Sequence, residues 1–388
     1  MGYILSNANR WYCGLESSYG LVPTVTGDNR IPAIKLTARQ QMEKATRRDK
    51  TGGRTYAGAP TGGRKKTDFS LSTYLSTWTN AQTLPSYGPL FQAAMGGTPL
   101  IYPGATVTSA AGSNITCSAP HGLVVNQAVS CGGEIRFVSN IVDPATITTN
   151  APFTTALTAG STLTPTVTFF PGDALPSCSL FDYWSPTSAL QRIICGAGMA
   201  KFSMEINGDY QEFQFSGMAQ DVIDSASFSS GMGQLSTFPA EPADAAFHSS
   251  IVPGNLGQIW MGLEPNRYAT LTHGELRLDN DLDVRANEFG SALPRSLSPG
   301  MRKVTFDFTL FEQDDQATME LYQAARQQST IPIMMQVGQT QGQLFGAYLK
   351  SVLPEVPELD DSQRLVQWKV SGSRAQGINN DELVVAFA

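Results

Sequence analysis

The phrase LFQAA at Leu90–Ala94 returns as LYQAA at Leu321–Ala325, and further matches flank it in the same order. Upstream, KKTDFSL (Lys65–Leu71) faces KVTFDFTL (Lys303–Leu310). Downstream, FQFSGMAQ (Phe213–Gln220) faces WKVSGSRAQ (Trp368–Gln376). Further upstream still, AIKLTARQQMEKATRRD resembles ELRLDNDLDVRANEFG in its alternating start. Short runs of good helix formers resemble each other by chance. Several phrases in one order, each on the same kind of element, point instead to an internal duplication. Each half then reads as a strand, a long Gly/Pro-containing loop, a second strand, one short helix and returning strands.

The composition agrees with a mainly β fold. Of 388 residues, 15% are charged and 41% hydrophobic, with 36 Gly and 23 Pro, so long charged helices are excluded while a core is not. Apolar runs between the turn residues have strand length. Phe202, Met204 and Ile206, then Phe213 and Phe215, alternate with period two, as in a sheet with one buried face. Asn207-Gly208 between these runs predicts a tight hairpin turn. For the helices, Pro89 suits an opening turn and Gly96-Gly97 an exit. Asp314 and Asp315 stand at an N-cap, and Thr318, Leu321, Tyr322 and Ala325 share a face.

The expected organisation is an N-terminal arm over 1–30 and a first β domain over 31–103 and 172–228. A small β domain, 104–171, is inserted into it, and a linker over 229–266 leads to a second β domain over 267–388. The insert is dense in Thr, Ala and Gly, but EIRFVSNIVD is too apolar for a disordered spacer.

No catalytic or metal site is legible, and no cofactor is expected. His121, His248 and His273 are far apart and lack metal-ligand spacing. Cys13, Cys117, Cys131, Cys178 and Cys195 include no CxxC pair and read as buried free thiols. There is no G-x-S-x-G elbow. GAGMAK (Gly196–Lys201) lacks the spacing of a phosphate loop and runs into a strand. Asp360-Asp361 with Glu355 and Glu358 reads as a turn between strands sooner than as a cation site. Net charge is −7, which argues against a whole surface built to neutralise phosphates. No stretch is long and apolar enough to cross a bilayer as a helix.

One segment departs from that charge. Arg47, Arg48, Lys50, Arg54 and Arg64 lie in a Gly-rich basic run. With few aromatics to stack on bases, it reads better as a loop docking on an acidic surface of a neighbouring copy than as a nucleic-acid arm.

The repeated order of elements, carried by IKLTARQQMEKATRRDKTGGRTY, RKKTDFSLSTYL, LFQAA and KFSMEINGDYQEFQFSGMAQ and their second-half counterparts, resembles the major tail tube proteins of long-tailed bacteriophages. That resemblance implies a structural protein of the virion tail, not an enzyme, assembled in the host bacterial cytoplasm. It implies tail-tube domains closed into rings of six and stacked into a hollow tube that DNA traverses without specific binding. Tape measure and tail-completion proteins would be its further partners. Two domains per chain imply three copies per ring; six follow if the second half is not such a domain. The loop from Ala45 to Gly63 and its counterpart from Ala286 to Pro299 would reach the next ring, and the insert would decorate the outside. Asp68, Ser70, Ser72, Asp307 and Thr309 alternate with Phe69, Leu71, Phe308 and Leu310, and are expected to line the channel. The rival reading is a β-rich virion or cell-surface binding module, an adhesin or carbohydrate binder, with Phe181, Tyr183 and Trp184 as an aromatic platform.

Overall fold

A computed structural model describes residues 5–43, 49–50, 52–54, 63–77, 84–184, 190–206, 208–224 and 251–388. Strands make up 50% of the described residues and helices 8%, so the fold is mainly β. Eight strands form its central feature: β1 (Ala33–Met42), β2 (Lys65–Tyr74), β3 (Leu190–Ile206), β4 (Glu212–Ala219), β5 (Leu271–Asp279), β6 (Lys303–Phe311), β7 (Glu358–Asp360) and β8 (Gln367–Val370). They pair antiparallel in the order β1-β2-β4-β3-β5-β6-β8-β7. The first half thus contributes 1-2-4-3 and the second 5-6-8-7, the same pattern, joined where β3 pairs with β5. The sheet curves into a half-barrel.

The cross-strand registers refine the match between halves. Phe215 pairs with Leu71 and Val370 with Phe308, so the shared Asp-Phe phrase sits one pair of residues further along in the second half. An even slip keeps every side chain on its face. Phe69, Leu71, Phe202, Phe215, Phe306 and Phe308 all point into the core.

Helix α1 (Gly88–Met95) follows β2 and α2 (Gln316–Gln327) follows β6. Pro89 opens α1, and Gly96 closes it with φ +91; a Cβ there would lie 2.6 Å from the Ala174 carbonyl oxygen. Asp315 caps α2, its carboxylate accepting from the Thr318 N–H at 2.7 Å.

The two copies of the opening phrase have different surroundings. Phe91 is fully buried, with the rings of Phe213, Phe387, Phe202 and Phe215 at 5.0–5.3 Å. Those rings come from both halves, because an outer layer crosses over α1. In that layer, Ile331–Val337 pairs with Phe345–Leu353, then Val384–Phe387, then Thr166–Phe169. Its counterpart Tyr322 is 38% exposed and touches Trp368 at 5.4 Å.

Several expected boundaries shift. Residues 9–15, expected in an arm that needs a partner to be ordered, form a strand paired along its length with Cys178–Trp184, and Tyr12 and Cys13 are fully buried. Apolar residues on that strand complete a core and need no second chain. Gly257–Met261, expected in the linker, pairs with Ile331–Val337. Thr166–Phe169, expected in the insert, pairs in the outer layer with Leu100–Tyr102. Asn207, of the expected hairpin turn, lies outside the described residues.

The insert itself is a six-stranded, nearly closed barrel. It is fastened to the outer layer: Phe137 stacks on Tyr348 at 5.3 Å, and the Gln336 side chain accepts from Ile135 N–H and donates to Gly133 O, both at 2.9 Å. Arg136 is fully buried beneath, donating to Glu134 at 2.6 Å and to the Pro152 and Ile135 carbonyls, and lying over the Phe153 and Trp260 rings. Burial is the main cause that pushes its pKa down to about 10.

Phe91→Ala should cost about 3–5 kcal/mol, while Tyr322→Ala, at the repeated position, should cost about 1 kcal/mol. Urea unfolding of the two variants measures the difference.

Candidate functional surface

The concave side of the eight-stranded sheet gathers the residues that alternate with the core. Asp68, Ser70 and Ser72 on β2 and Asp307 and Thr309 on β6 all lie on it. Hydroxyls recur along it; Thr37 and Ser70 share a 2.6 Å hydrogen bond across β1 and β2. At its centre is a trough of about 610 Å³ bordered by Ser70, Lys201, Gln214, Arg277, Asp279 and Asp307.

The trough also carries charge that the sequence reading did not place there. Lys201, Arg277 and Lys303 share the face, each with an acid beside it. Lys201 lies 3.1 Å from Asp279, which is also the register partner of Lys303. Arg277 contacts Glu275 at 2.5 Å and Asp307 at 3.0 Å. The Glu275 carboxylate, with help from Asp307 and Glu205, raises the Arg277 pKa above its usual value. Further along, Lys369 holds Asp360 at 2.5 Å, and this bond with those from Ser362 keeps that carboxyl well below the usual range. Around the trough the expected acid-and-hydroxyl surface is therefore a mosaic in which Lys201 and Arg277 are answered by neighbouring anions, while Lys35 and Arg39 stand exposed on the edge strand of the same face. The signal was in the sequence: the buried series Phe202, Met204 puts Lys201, Ser203 and Glu205 on the other face of the same strand.

Asp68 and Asp307 are not equivalent. Asp307 also accepts from the Gly372 N–H at 2.6 Å, whereas Asp68 is 45% exposed and reaches Lys66 only at 3.9 Å.

The long connections β1–β2 and β5–β6 leave the sheet at one end, since β1 and β5 run in the same direction. They touch there: Lys65 N–H donates to Ala292 O at 2.9 Å, and the Arg64 guanidinium donates to the Asn287 side-chain and backbone oxygens at 3.2 and 3.4 Å. Lys50 and Arg54 are exposed, while Arg47 and Arg48 fall outside the described residues. At the opposite end stand Asp209, Glu212, Glu312 and Asp314.

Other candidate groups are structural. Phe181 and Tyr183 are buried in a cluster with Tyr12 and Ile193, so no exposed aromatic platform forms there. His121 accepts from Leu123 N–H at a turn. Gly196–Lys201 lies within β3. Glu16, nearly buried, accepts from Ser177 and Ser179 hydroxyls and the Gly20 and Gly196 N–H groups. No group of three or more His, Cys, Asp or Glu among the described residues is arranged to hold a metal. No described helix is long and apolar enough to cross a membrane.

A family model described as "Phage tail tube protein" matches residues 12–381. No curated protein matches the chain.

Asp307→Asn should destabilise the fold by about 1–2 kcal/mol, because two charge-assisted partners weaken together. Asp68→Asn should change stability by less than about 0.5 kcal/mol. Chemical denaturation of the two variants separates them.

Proposed function

As the chain belongs to the phage tail tube protein family, a family of structural tail components, we propose that it closes with copies of itself into rings, and that these stack into the tube through which DNA leaves the virion. The observation that carries this reading is the eight-stranded half-barrel with a polar concave side and an apolar convex side. Its two four-stranded halves read as two tail-tube domains in one chain, with the barrel of residues 105–163 on the outside.

Strand count favours three copies. Eight strands each give about 24, and at the usual strand spacing and tilt such a barrel measures roughly 45–50 Å between opposite backbones. That admits a double helix with side chains on both walls. Six copies would double the diameter and leave the duplex without a guiding wall.

The mosaic of charge suits passage without capture. Strong binding to DNA comes from several uncompensated cations meeting phosphates, whereas here Lys201 and Arg277 each have carboxylates within about 3 Å. Asp68, Ser70, Ser72, Asp307 and Thr309 are the lumenal residues in this reading. The basic β1–β2 connection at one end, with Lys50, Arg54 and Arg64 and with Arg47 and Arg48 in the same stretch, and the acidic opposite end support head-to-tail stacking of rings. Tape measure and tail-completion proteins would meet the tube's interior and its ends, and assembly would take place in the host cytoplasm.

Electron microscopy of the concentrated protein should show hollow rods or stacked rings; dispersed globules would overturn the proposal. In phage carrying Asp68→Lys with Ser70→Lys, tubes should still form, but DNA should leave more slowly at low salt than at high salt. Unchanged ejection would count against the lumenal assignment.

A further inference from the structure

Both ends of the strand order are open among the described residues: β1 pairs only with β2, and β7 only with β8. Seven successive antiparallel steps leave β7 opposed to β1. A second copy's β1 can therefore add to β7 without breaking the alternation.

The two edges differ in chemistry. β1 exposes Lys35 and Arg39 on the concave side and has no acid between Ala33 and Met42. The β7 edge carries Glu355, Glu358, Asp360 and Asp361, with no basic residue until Arg364. Asp360 is engaged with Lys369, while Glu355, Glu358 and Asp361 are exposed. On the convex side the β7 edge is apolar, where Leu359, opposite Trp368, is 67% exposed. Like charges set opposite each other on neighbouring strands are destabilising, and opposite charges stabilising.

Proline limits what the backbone alone can select. Pro354 and Pro357 precede β7 and lack an N–H, so only the three residues Glu358–Asp360 form a strand there. A short, charged, proline-flanked edge is poor at capturing strands indiscriminately. Partner choice then falls to the side chains.

We propose that the edges are coded by charge for heterologous contact, so that β7 of one copy accepts β1 of the next while β1–β1 and β7–β7 pairing is disfavoured. The inference rests on the ring reading above and adds to it the identity of the joint. A self-complementary joint would close a dimer and stop; a head-to-tail one continues until the arc closes.

Three variants test this: Lys35→Glu with Arg39→Glu; Glu355→Lys with Glu358→Lys and Asp361→Lys, which spares the Asp360–Lys369 pair; and all five together. Sedimentation and electron microscopy read assembly, and urea unfolding confirms that each chain folds. Each one-edge variant should need at least about tenfold more protein to form rings than the wild type, and the five-fold variant should recover. Mixing the two one-edge variants gives chains that join only in alternation, so closed rings of three should not form from the mixture. One-edge variants that assemble like the wild type, or a folded five-fold variant that does not assemble, would overturn the charge code while leaving the ring intact. A wild-type chain that never forms rings would remove the ring itself, and the code with it.

Discussion

An open edge on a curved antiparallel sheet is a row of backbone donors and acceptors with only water to satisfy them, and among the described residues the eight-stranded sheet has one at each end. The rest of the molecule is arranged around that constraint. An even number of strands keeps the edges antiparallel to each other, curvature sets them at the two ends of an arc, and one polar face keeps the concave side wet. The convex side is where helices and outer strands bury the apolar residues. Such a sheet is complete as an arc and incomplete as a wall.

The arc behaves as one body because its halves share a core. The β3–β5 pairing joins them through backbone hydrogen bonds, and Phe91 joins them through packing, touching Phe213 and Phe202 of the first half and Phe345 and Phe387 of the second. Burying so large a ring among aromatic partners makes the angle between halves costly to change. The strand β3 adds to this by running from its pairing with Cys178–Trp184 into the curved sheet, with a bulge near Met199–Lys201. Its counterpart is broken by Pro354 and Pro357, which is why one half ends in a long shared strand and the other in a short edge.

Much of this was legible in the sequence. Period-two alternation gave the buried faces of β2, β3, β4 and β6, and capping chemistry gave both helices. The repeated phrases pointed to two equivalent sets of strands. Two things were hidden. Residues 9–15 and 257–261 have no amphipathic signal that distinguishes an ordered strand from an extended arm, since what fixes them is a partner strand more than seventy residues away. The cations of the concave face were hidden because Lys201 and Arg277 look like ordinary surface charge until strand pairing puts Asp279, Glu275 and Asp307 beside them. The repeated phrase also misled in one respect: identical neighbours in sequence gave Phe91 a buried centre and Tyr322 a half-exposed flank, because only one helix is crossed by the outer strands.

The central claim is that β1 and β7 become paired on assembly. Hydrogen–deuterium exchange of the assembled protein against the dispersed chain tests it at the backbone. The account predicts strong new protection of the amides of 33–42 and 358–360, with little change in the insert barrel. Edge amides that exchange equally fast in both states, with protection gained over 105–163 instead, would contradict it.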